Sequence, residues 1–263
     1  MNILANSPAV MGILNVTPDS FYDGGKYDHV DTAVLRAVEM INEGADMIDI
    51  GGESTLDTDP VSEEEELRRV LPVVDSLRQE NPDAVISVDT YKAHIAKEVL
   101  QHGAKIINDV TAGRGDAEML SVIAQAGCPY VMMRSKDAKA RTTIDEVQYD
   151  DVLQTIHDFF QERISAAKAA GVKQSQIILD PGLGHFVSSD PKYSWLILEQ
   201  LETFKDFGCP ILVSPSRKSF TAKNPDEPPS ERLERTLEAT KMALENGASI
   251  IRTHDVGETK SLM

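Results

Sequence analysis

Residues 209–220 read CPILVSPSRKSF, and the polarity of the chain changes abruptly within this stretch. The apolar run PILVS, residues 210–214, has the length and composition of a buried strand. It leads directly into Arg217, Lys218 and Ser219, whereas a half-exposed strand would alternate apolar and polar residues. The stretch therefore predicts a core strand that delivers a cation to its own carboxyl end.

Seven further apolar runs have the same character and are separated by longer amphipathic segments. They are VMGILN (10–15), ADMIDIG (45–51), AVISVD (84–89), KIIND (105–109), PYVMMR (129–134), QIILD (176–180) and SIIRTH (249–254). Continuous apolar runs of this kind fit parallel strands that are covered on both sides. The dipeptide Gly-Ala precedes a run three times, at 44–45, 103–104 and 247–248, which indicates a repeated βα unit.

Eight βα units in a chain of 263 residues match the size of an α/β TIM (β/α)8 barrel. We expect one domain over residues 1–263, because no linker or change of composition marks a boundary. The rival fold is an open doubly wound sheet, but its G-x-G-x-x-G fingerprint is absent after the first run. Among the helices, Asp31 and Ser62 are predicted N-caps, and Glu63–Glu66 would form a favourable acidic first turn.

The composition restricts the possible partners. A formal net charge of −17 disfavours nucleic acid, which needs clustered Lys and Arg. No apolar run approaches the roughly 18 residues that span a membrane, and no signal peptide is visible, so we expect a cytoplasmic protein with no membrane partner. Cys128 and Cys209 each follow Gly and precede Pro and an apolar run, which indicates core positions instead of a disulfide or metal site.

In a barrel the carboxyl ends of all strands meet on one face, where active sites lie. Polar residues collect at nearly every predicted strand end: Asn15, Asp49 with Glu53, Asp89, Asn108 with Asp109, Arg134, Asp180, Ser214–Lys218, and Arg252 with His254. Taken singly, Asp49, Asp109 and Asp255 are better explained as caps or turn residues, since Asp often starts turns. Taken together, the strand ends predict one shared pocket to which Lys218 contributes.

The residue types at these ends indicate two kinds of ligand chemistry. The carboxylates and amide of Asp89, Asn108 and Asp180 suit the donor-rich edge of a nitrogen heterocycle such as an aminopyrimidinone. The cationic set Lys218, Arg252 and His254, together with Asn15, suits a phosphate or pyrophosphate. Met133 is expected to pack in the barrel, where it could also line a flat apolar pocket. The pocket would then hold a heterocycle with a phosphorylated leaving group.

Over essentially its whole length, the sequence resembles the dihydropteroate synthase family. The family's signatures follow in order: MGILNVTPDSFYDGG (11–25), GADMIDIGGEST (44–55), ISVDTYK (86–92), GAKIINDV (103–110), LDPGLG (179–184), SRKSF (216–220) and RTHDV (252–256). The resemblance implies condensation of 6-hydroxymethyl-7,8-dihydropterin diphosphate with 4-aminobenzoate, which yields dihydropteroate and diphosphate. It also implies a dissociative mechanism, a Mg2+ cofactor and a homodimer.

The resemblance also implies roles for individual residues. The pterin ring would be held by Asp89, Asn108 and Asp180, with Lys218 on its other edge, and these four are the catalytic candidates. Diphosphate would be held by Asn15, Arg252 and His254, with Mg2+ ligated through Asn15. The aminobenzoate site would be bordered by Thr55, Phe21 and Ser219. Met133 and Gly184 complete the candidate substrate-binding set.

The sequence departs from the family's pattern at three places. Leu56 and Asp57 stand where the family has Arg and Pro, Arg134 replaces a His, and residues 184–187 read GHFV instead of Gly-Phe-Gly-Lys. The missing Arg and the altered later segment resemble the mobile sulfonamide-resistance members, so altered sulfonamide sensitivity is expected. Arg134 could replace the lost cation from another strand.

Two other functions are compatible with the same barrel. A pterin-binding protein could have lost the chemistry, but it would have little reason to keep both the pterin and the diphosphate residues. A pterin-binding methyltransferase would need a corrinoid-binding segment, which the sequence lacks. The sequence therefore favours an active synthase that acts on two small molecules.

Overall fold

The computed structural model describes residues 8–17, 26–54, 60–224 and 226–263. The strands are β1 Ala9–Asn15, β2 Met47–Gly51, β3 Ile86–Asp89, β4 Ile106–Asp109, β5 Tyr130–Met133, β6 Ile177–Asp180, β7 Leu212–Val213 and β8 Ile250–Thr253. The helices are α1 Lys26–Asn42, α2 Glu63–Glu80, α3 Ala93–Gln101, α4 Met119–Ala126, α5 Val152–Ala169, α6 Pro191–Glu199, α7 Leu233–Glu245 and α8 Val256–Lys260. Seven of the predicted apolar runs contain one of these strands, and β1 begins one residue before its run, at Ala9.

The strands form one parallel barrel. Hydrogen-bonded neighbours follow the order β6-β5-β4-β3-β2-β1-β8-β7. A single bridge between Leu179 and Ile211 joins β6 to β7 and closes the ring. The predicted TIM barrel is confirmed, and the seam between β6 and β7 is its most weakly paired junction among the described strands.

The barrel interior changes from apolar to polar along the strands. The amino-terminal half is filled by a buried apolar cluster comprising Ala9, Met11, Met47, Ile106, Val131, Ile178, Leu212 and Ile250. Side chains two residues apart on a strand point to the same side. The residues two positions after Met47, Ile106, Ile178 and Ile250 are Asp49, Asn108, Asp180 and Arg252. An apolar plug therefore lies directly beneath a polar layer, in which the candidate site is found.

Two local predictions have different outcomes. Ser62 caps α2, because its Oγ accepts a hydrogen bond of 3.2 Å from the backbone N–H of Glu65. The predicted cap at Asp31 is wrong, since α1 begins at Lys26 and Asp31 lies inside it. A cap contributes about 1 kcal/mol, and the extra turn brings Val30 against the core, which offers a competing gain.

Cys128 and Cys209 are free and buried, as predicted. In the described part of the chain, no helix combines the length and the apolar character needed to cross a membrane.

Candidate active site

The ends of β1 to β4 align four residues in one row. The strand register places Asn15 beside Gly51, Gly51 beside Asp89, and Asp89 beside Asn108. A Cβ built on Gly51 would lie 3.6 Å from Asn15 Oδ1 and 3.7 Å from Asp89 Cβ, so the glycine keeps this part of the row free of a side chain. Three of the predicted site residues are thus brought together by the sheet itself.

A charge network crosses the barrel beneath this row. Arg252 donates from Nε to Asp49 at 2.6 Å and from its terminal nitrogen to Asp89 at 2.9 Å. Asp49 also accepts from Ser87 Oγ at 2.5 Å and from Asn108 Nδ2 at 2.9 Å. The expectation that Asp49 is a cap or turn residue is wrong, because its carboxylate is fully buried at the centre of the network.

The electrostatics of Asp89 follow from this position. Burial raises the pKa of the Asp89 carboxyl, and the neighbouring Asp49 carboxylate adds to the rise, against the lowering effect of Arg252. The result is a pKa of about 7. A ligand that carries positive charge near Asp89 favours its ionised form.

Lys218 is presented by a constrained backbone. Arg217 adopts a φ of +55°, which is costly for a residue with a Cβ. Its guanidinium makes two hydrogen bonds to Asp255, and its backbone N–H donates to Thr236 Oγ1 at 3.0 Å. These contacts fix the turn that precedes Lys218. They explain how a core strand presents a cation at its carboxyl end.

The charge of Lys218 lies near an aromatic ring and a carboxylate. Its Nζ is 4.9 Å from the centre of the Phe186 ring. Burial lowers the pKa of the Lys218 ammonium to about 8, against the raising effect of Asp180. Asp180 itself is buried, and burial raises its pKa although Lys218 and the Gly182 backbone N–H, at 2.8 Å, oppose the shift. Both groups are therefore poised to be compensated by a ligand with polar edges.

His254 differs from the expected cation. Its Nδ1 lies 3.0 Å from Ser216 Oγ, and its carbonyl oxygen accepts from Arg36 at 3.2 Å. Burial, followed by the positive charge of Arg252, lowers the pKa of the imidazole to about 4. At neutral pH His254 is a neutral hydrogen-bonding group, so the expectation of a cation at this position is wrong for the unliganded protein.

A cavity of about 520 Å³ opens at the carboxyl end of the barrel. It is lined by six of the predicted residues, namely Asn15, Asp89, Lys218, Ser219, Arg252 and His254. An adjoining cavity of about 600 Å³ shares Asn15, Ser216 and His254 with it. The first cavity therefore connects the strand ends to the side where phosphate ligands were predicted.

The other predicted residues lie just behind this lining. Asn108 lies beside the lining residue Asp89 in the sheet, and Asp180 interacts through its charge with the lining residue Lys218. A Cβ built on Gly184 would lie 3.5 Å from both Lys218 Cβ and Ser219 Oγ. Met133 pairs with Asp180 in the sheet and packs in a small cluster beside Phe186, as expected of a packing residue. Phe21, Thr55, Leu56 and Asp57 lie outside the described residues.

Arg134 does not supply a cation to the cavity. Its guanidinium is buried against Tyr149, donating to the hydroxyl at 3.0 Å and to the carbonyl of Phe186 at 3.5 Å. The prediction that it replaces the lost cation is therefore wrong. Two of the three departures from the family's pattern, Arg134 and residues 185–187, are in contact with each other, since Tyr149 also donates to Val187 at 2.7 Å.

Arg232, which was not assigned to the site, lines the cavity together with Glu53, which was named at a strand end. Arg232 lies on the cavity and donates to the backbone carbonyls of Glu227 and Arg217. Glu53 forms ion pairs of 2.6 Å with both Lys92 and Arg141. Arg141 and Arg232 come from loops in which charged residues are common, so their sequence carries no signal that would single them out.

A metal cage made only of protein groups is not present in the described part of the chain, where no three His, Cys, Asp or Glu side chains cluster suitably. Mg2+ usually keeps several waters and binds through few protein oxygens together with substrate phosphates. The amide oxygen of Asn15, exposed at the end of β1, fits one such position.

Comparison with known proteins agrees with this geometry. Residues 11–254 match a family described as pterin binding enzyme. The chain is 44% identical over 248 residues to dihydropteroate synthase of Bacillus subtilis, covering 94% of this chain and 83% of the relative. It is 42% identical to the Escherichia coli dihydropteroate synthase over 257 residues, covering 97% and 89% respectively.

Solved structures give the same result. The dihydropteroate synthase from Clostridium difficile, determined in the presence of pteroic acid, has a TM-score of 0.88 and 41% identity, covering 98% of this chain and 94% of that one. The Xanthomonas albilineans enzyme in complex with 7,8-dihydropteroate has a TM-score of 0.86 and 36% identity, covering 100% and 92%.

Proposed function

This chain belongs to the dihydropteroate synthase family of pterin-binding enzymes, and from that premise we propose how its residues carry out the reaction. The transferase condenses a dihydropterin diphosphate with 4-aminobenzoate in folate biosynthesis. The observation that carries the assignment of roles is the charge interaction of Asp180 with Lys218 and with Arg252, which itself pairs with Asp49 and Asp89. The strand ends thus offer both hydrogen-bond acceptors and a cation to one ligand.

The pterin ring binds deepest. Asp180 accepts hydrogen bonds from the amino and ring N–H donors of the aminopyrimidinone edge. The amide nitrogen of Asn108 donates to Asp49. The amide oxygen Oδ1 of Asn108 therefore accepts a hydrogen bond from the ligand. Lys218 donates to the opposite edge of the ring, and its lowered pKa reflects a desolvated ammonium that a bound acceptor would stabilise.

The diphosphate binds toward the adjoining cavity, at Asn15, Ser216 and His254. Arg252 adds long-range attraction, although its guanidinium is already shared by two carboxylates. Mg2+ would reach the protein through Asn15 and would neutralise charge on the leaving diphosphate. His254 donates a hydrogen bond while neutral and takes up a proton when the anion raises its pKa.

The reaction replaces a C–O bond with a C–N bond. The bond between the pterin methylene carbon and diphosphate breaks, and the electron pair leaves with the diphosphate. Carboxylates at the site, Asp89 foremost, stabilise the positive charge that develops on the pterin. The arylamine nitrogen then forms the new bond and loses a proton to solvent.

The arylamine binds at the outer wall of the cavity. Ser219 borders this region and Arg232 supplies a cation there, which compensates for Leu56 at the position where the family has Arg. The Xanthomonas albilineans relative has been determined with 4-aminobenzoic acid, which supports an arylamine site in this fold. The Arg232 guanidinium meets the carboxylate of 4-aminobenzoate.

A diphosphate-release assay with both substrates, run with and without Mg2+, tests the function. We expect release that depends on both substrates and increases with Mg2+. Calorimetric titration of the pterin diphosphate into the native chain and Asp180→Asn tests the pterin role, and we expect the variant to lose pterin affinity more than aminobenzoate affinity. Pterin binding with no release at any enzyme concentration would favour a binding protein instead.

We also propose a homodimer that works in the cytoplasm. Support for both comes from the family resemblance alone. Sedimentation velocity of the purified chain tests the dimer, and a monomer at micromolar concentration would contradict it.

A further inference from the structure

Ile144 is a large apolar side chain in an unusual position. It is 69% exposed, more than any other large apolar residue of the described chain. It also lines the cavity of about 520 Å³, together with Thr142 of the same segment. When a ligand covers exposed apolar surface, binding is favoured by roughly 25 cal/mol per Å².

The segment around Ile144 is held from both sides. Arg141 pairs with Glu53 at the end of β2 at 2.6 Å, and Thr142 Oγ1 donates to the carbonyl of His185 at 3.0 Å. The Asp145 carbonyl accepts from the backbone N–H of Ser189 at 3.1 Å. Ile144 therefore sits between anchors to the loops that follow β2 and β6.

The base of the same segment is fixed by one lysine. Lys136 Nζ donates to the carbonyl of Thr143 at 2.7 Å and to Thr142 Oγ1 at 3.0 Å, and it pairs with Asp137 at 2.9 Å. Its side chain is only 6% exposed. Because its segment is fixed in this way, Ile144 loses little conformational freedom when a ligand covers it, which favours binding.

We propose that Ile144 is a specificity-determining contact for the aromatic ring of the arylamine substrate, and that Lys136 is a positioning residue that acts through it. The proposal rests on the proposed function. The strand-end groups of the cavity are charged and suit the pterin and diphosphate. The arylamine ring is the apolar surface that remains, and Ile144 lines the same cavity as Arg232.

The test compares Ile144→Ala with Leu35→Ala, which truncates a 64% exposed side chain on α1. We expect Ile144→Ala to raise the KM for 4-aminobenzoate by about fivefold to tenfold, as loss of part of a covered side chain predicts. Its kcat, its KM for the pterin diphosphate and its melting temperature should stay within twofold or 2 °C of native, by rough allowance for a surface change. Leu35→Ala should leave both KM values unchanged.

A double-mutant cycle tests the role of Lys136. Lys136→Met should raise the same KM, and its effect should largely disappear in the Ile144→Ala background, because the two residues act through one contact. Full additivity would overturn the positioning role. An unchanged KM for 4-aminobenzoate in an active Ile144→Ala variant would overturn the proposal, as would a parallel change in the pterin KM. Absence of turnover in the native chain would instead overturn the proposed function.

Discussion

Arg252 Nε lies 2.6 Å from Asp49 Oδ2, although the two residues are 203 positions apart in the sequence. The contact joins the last strand of the barrel to the second across its interior. It also commits the arginine before any ligand arrives, because Asp89 takes a second side of the same guanidinium. The strength of the site as an anion binder is therefore set partly by these two carboxylates.

Asp49→Asn should destabilise the protein by about 3 kcal/mol, because breaking one partner of a buried ion pair leaves the other under-compensated. The amide also presents a donor toward Arg252, Ser87 and Asn108, all of which donate to Asp49. Urea denaturation measures the change. Asp75→Asn is the matched control, since Asp75 is 54% exposed and pairs with His102 at 2.8 Å; we expect it to cost less than about 0.5 kcal/mol. Equal costs for the two variants would contradict the network.

Lys218→Ala should lower kcat/KM on the order of a hundredfold with little loss of fold. For the native enzyme, kcat/KM should fall as the pH rises through about 8, because the ammonium then loses its proton. Lys218→Arg keeps its charge, so its alkaline limb should move to higher pH. A native limb that is unchanged in this variant would assign the titration to another group.

Lys218→Met should raise the thermal stability of the protein near neutral pH. A lysine whose folded pKa is lowered costs stability while it is charged, and this cost fades as the pH rises through about 8 toward its unfolded value. The variant should therefore melt above the native chain at pH 7, and the difference should shrink above pH 8. Thermal melts at pH 7 and 9 provide the measurement. A difference that grows with pH would contradict the lowered pKa.

His254 should gain a proton when diphosphate binds. Its pKa of about 4 in the free protein means that the ring is neutral at pH 7, and a nearby dianion raises that pKa. NMR titration of the imidazole with and without inorganic diphosphate measures the shift. His102, on the surface beside Asp75, is the internal control for non-specific effects of diphosphate. In the free protein, stability should fall as the pH drops from about 6.5 toward 4, because the unfolded His254 binds the proton first.

Gly182→Ala should destabilise the protein more than Gly127→Ala. Both glycines have positive φ, 72° and 68° respectively. A Cβ at Gly182 would collide with the carbonyl oxygen of Arg134, whereas a Cβ at Gly127 meets no atom within 4 Å. We expect a cost of about 1 kcal/mol at Gly127 from the backbone alone and at least twice that at Gly182. Equal losses in denaturation experiments would show that the loop after β6 can yield.

Leu56→Arg combined with Asp57→Pro should lower the ratio of the sulfonamide inhibition constant to the aminobenzoate KM. An arginine there adds a second charge-assisted contact beside the one proposed for Arg232. Both constants should be measured for the native and the double-mutant enzyme. An unchanged ratio would shift attention to His185 and Phe186, which line the cavity.

The sequence was sufficient to predict the barrel, because eight continuous apolar runs with polar ends leave few alternatives. It also placed Asp89, Asn108, Asp180 and Lys218 at the correct end. Asp49 was named at a strand end but interpreted as a cap or turn residue, because a continuous apolar run hides which residues face inward. Its spacing of two positions after Met47, shared by Asn108 after Ile106 and Asp180 after Ile178, was the available signal.

Other features depend on contacts that no local pattern encodes. Arg134 was expected in the cavity, but its position is decided by the hydroxyl of Tyr149 and the carbonyl of Phe186, from two separate loops. Ile144 has its position because Glu53, His185 and Ser189 hold its neighbours. Such positions follow from the packing of loops against one another, which is settled only after the barrel has formed.

The single bridge between Leu179 and Ile211 has a consequence for ligand binding. Asp180 immediately follows Leu179 at the end of β6. Lys218 follows β7, the strand on the other side of the bridge. Under the proposed function, a pterin ring hydrogen-bonded to both residues would link the two sides of this weakly paired junction. Substrate binding and closure of the barrel would thus depend on the same junction. Amide hydrogens beside the seam between β6 and β7 should show the largest slowing of exchange when the ring is bound.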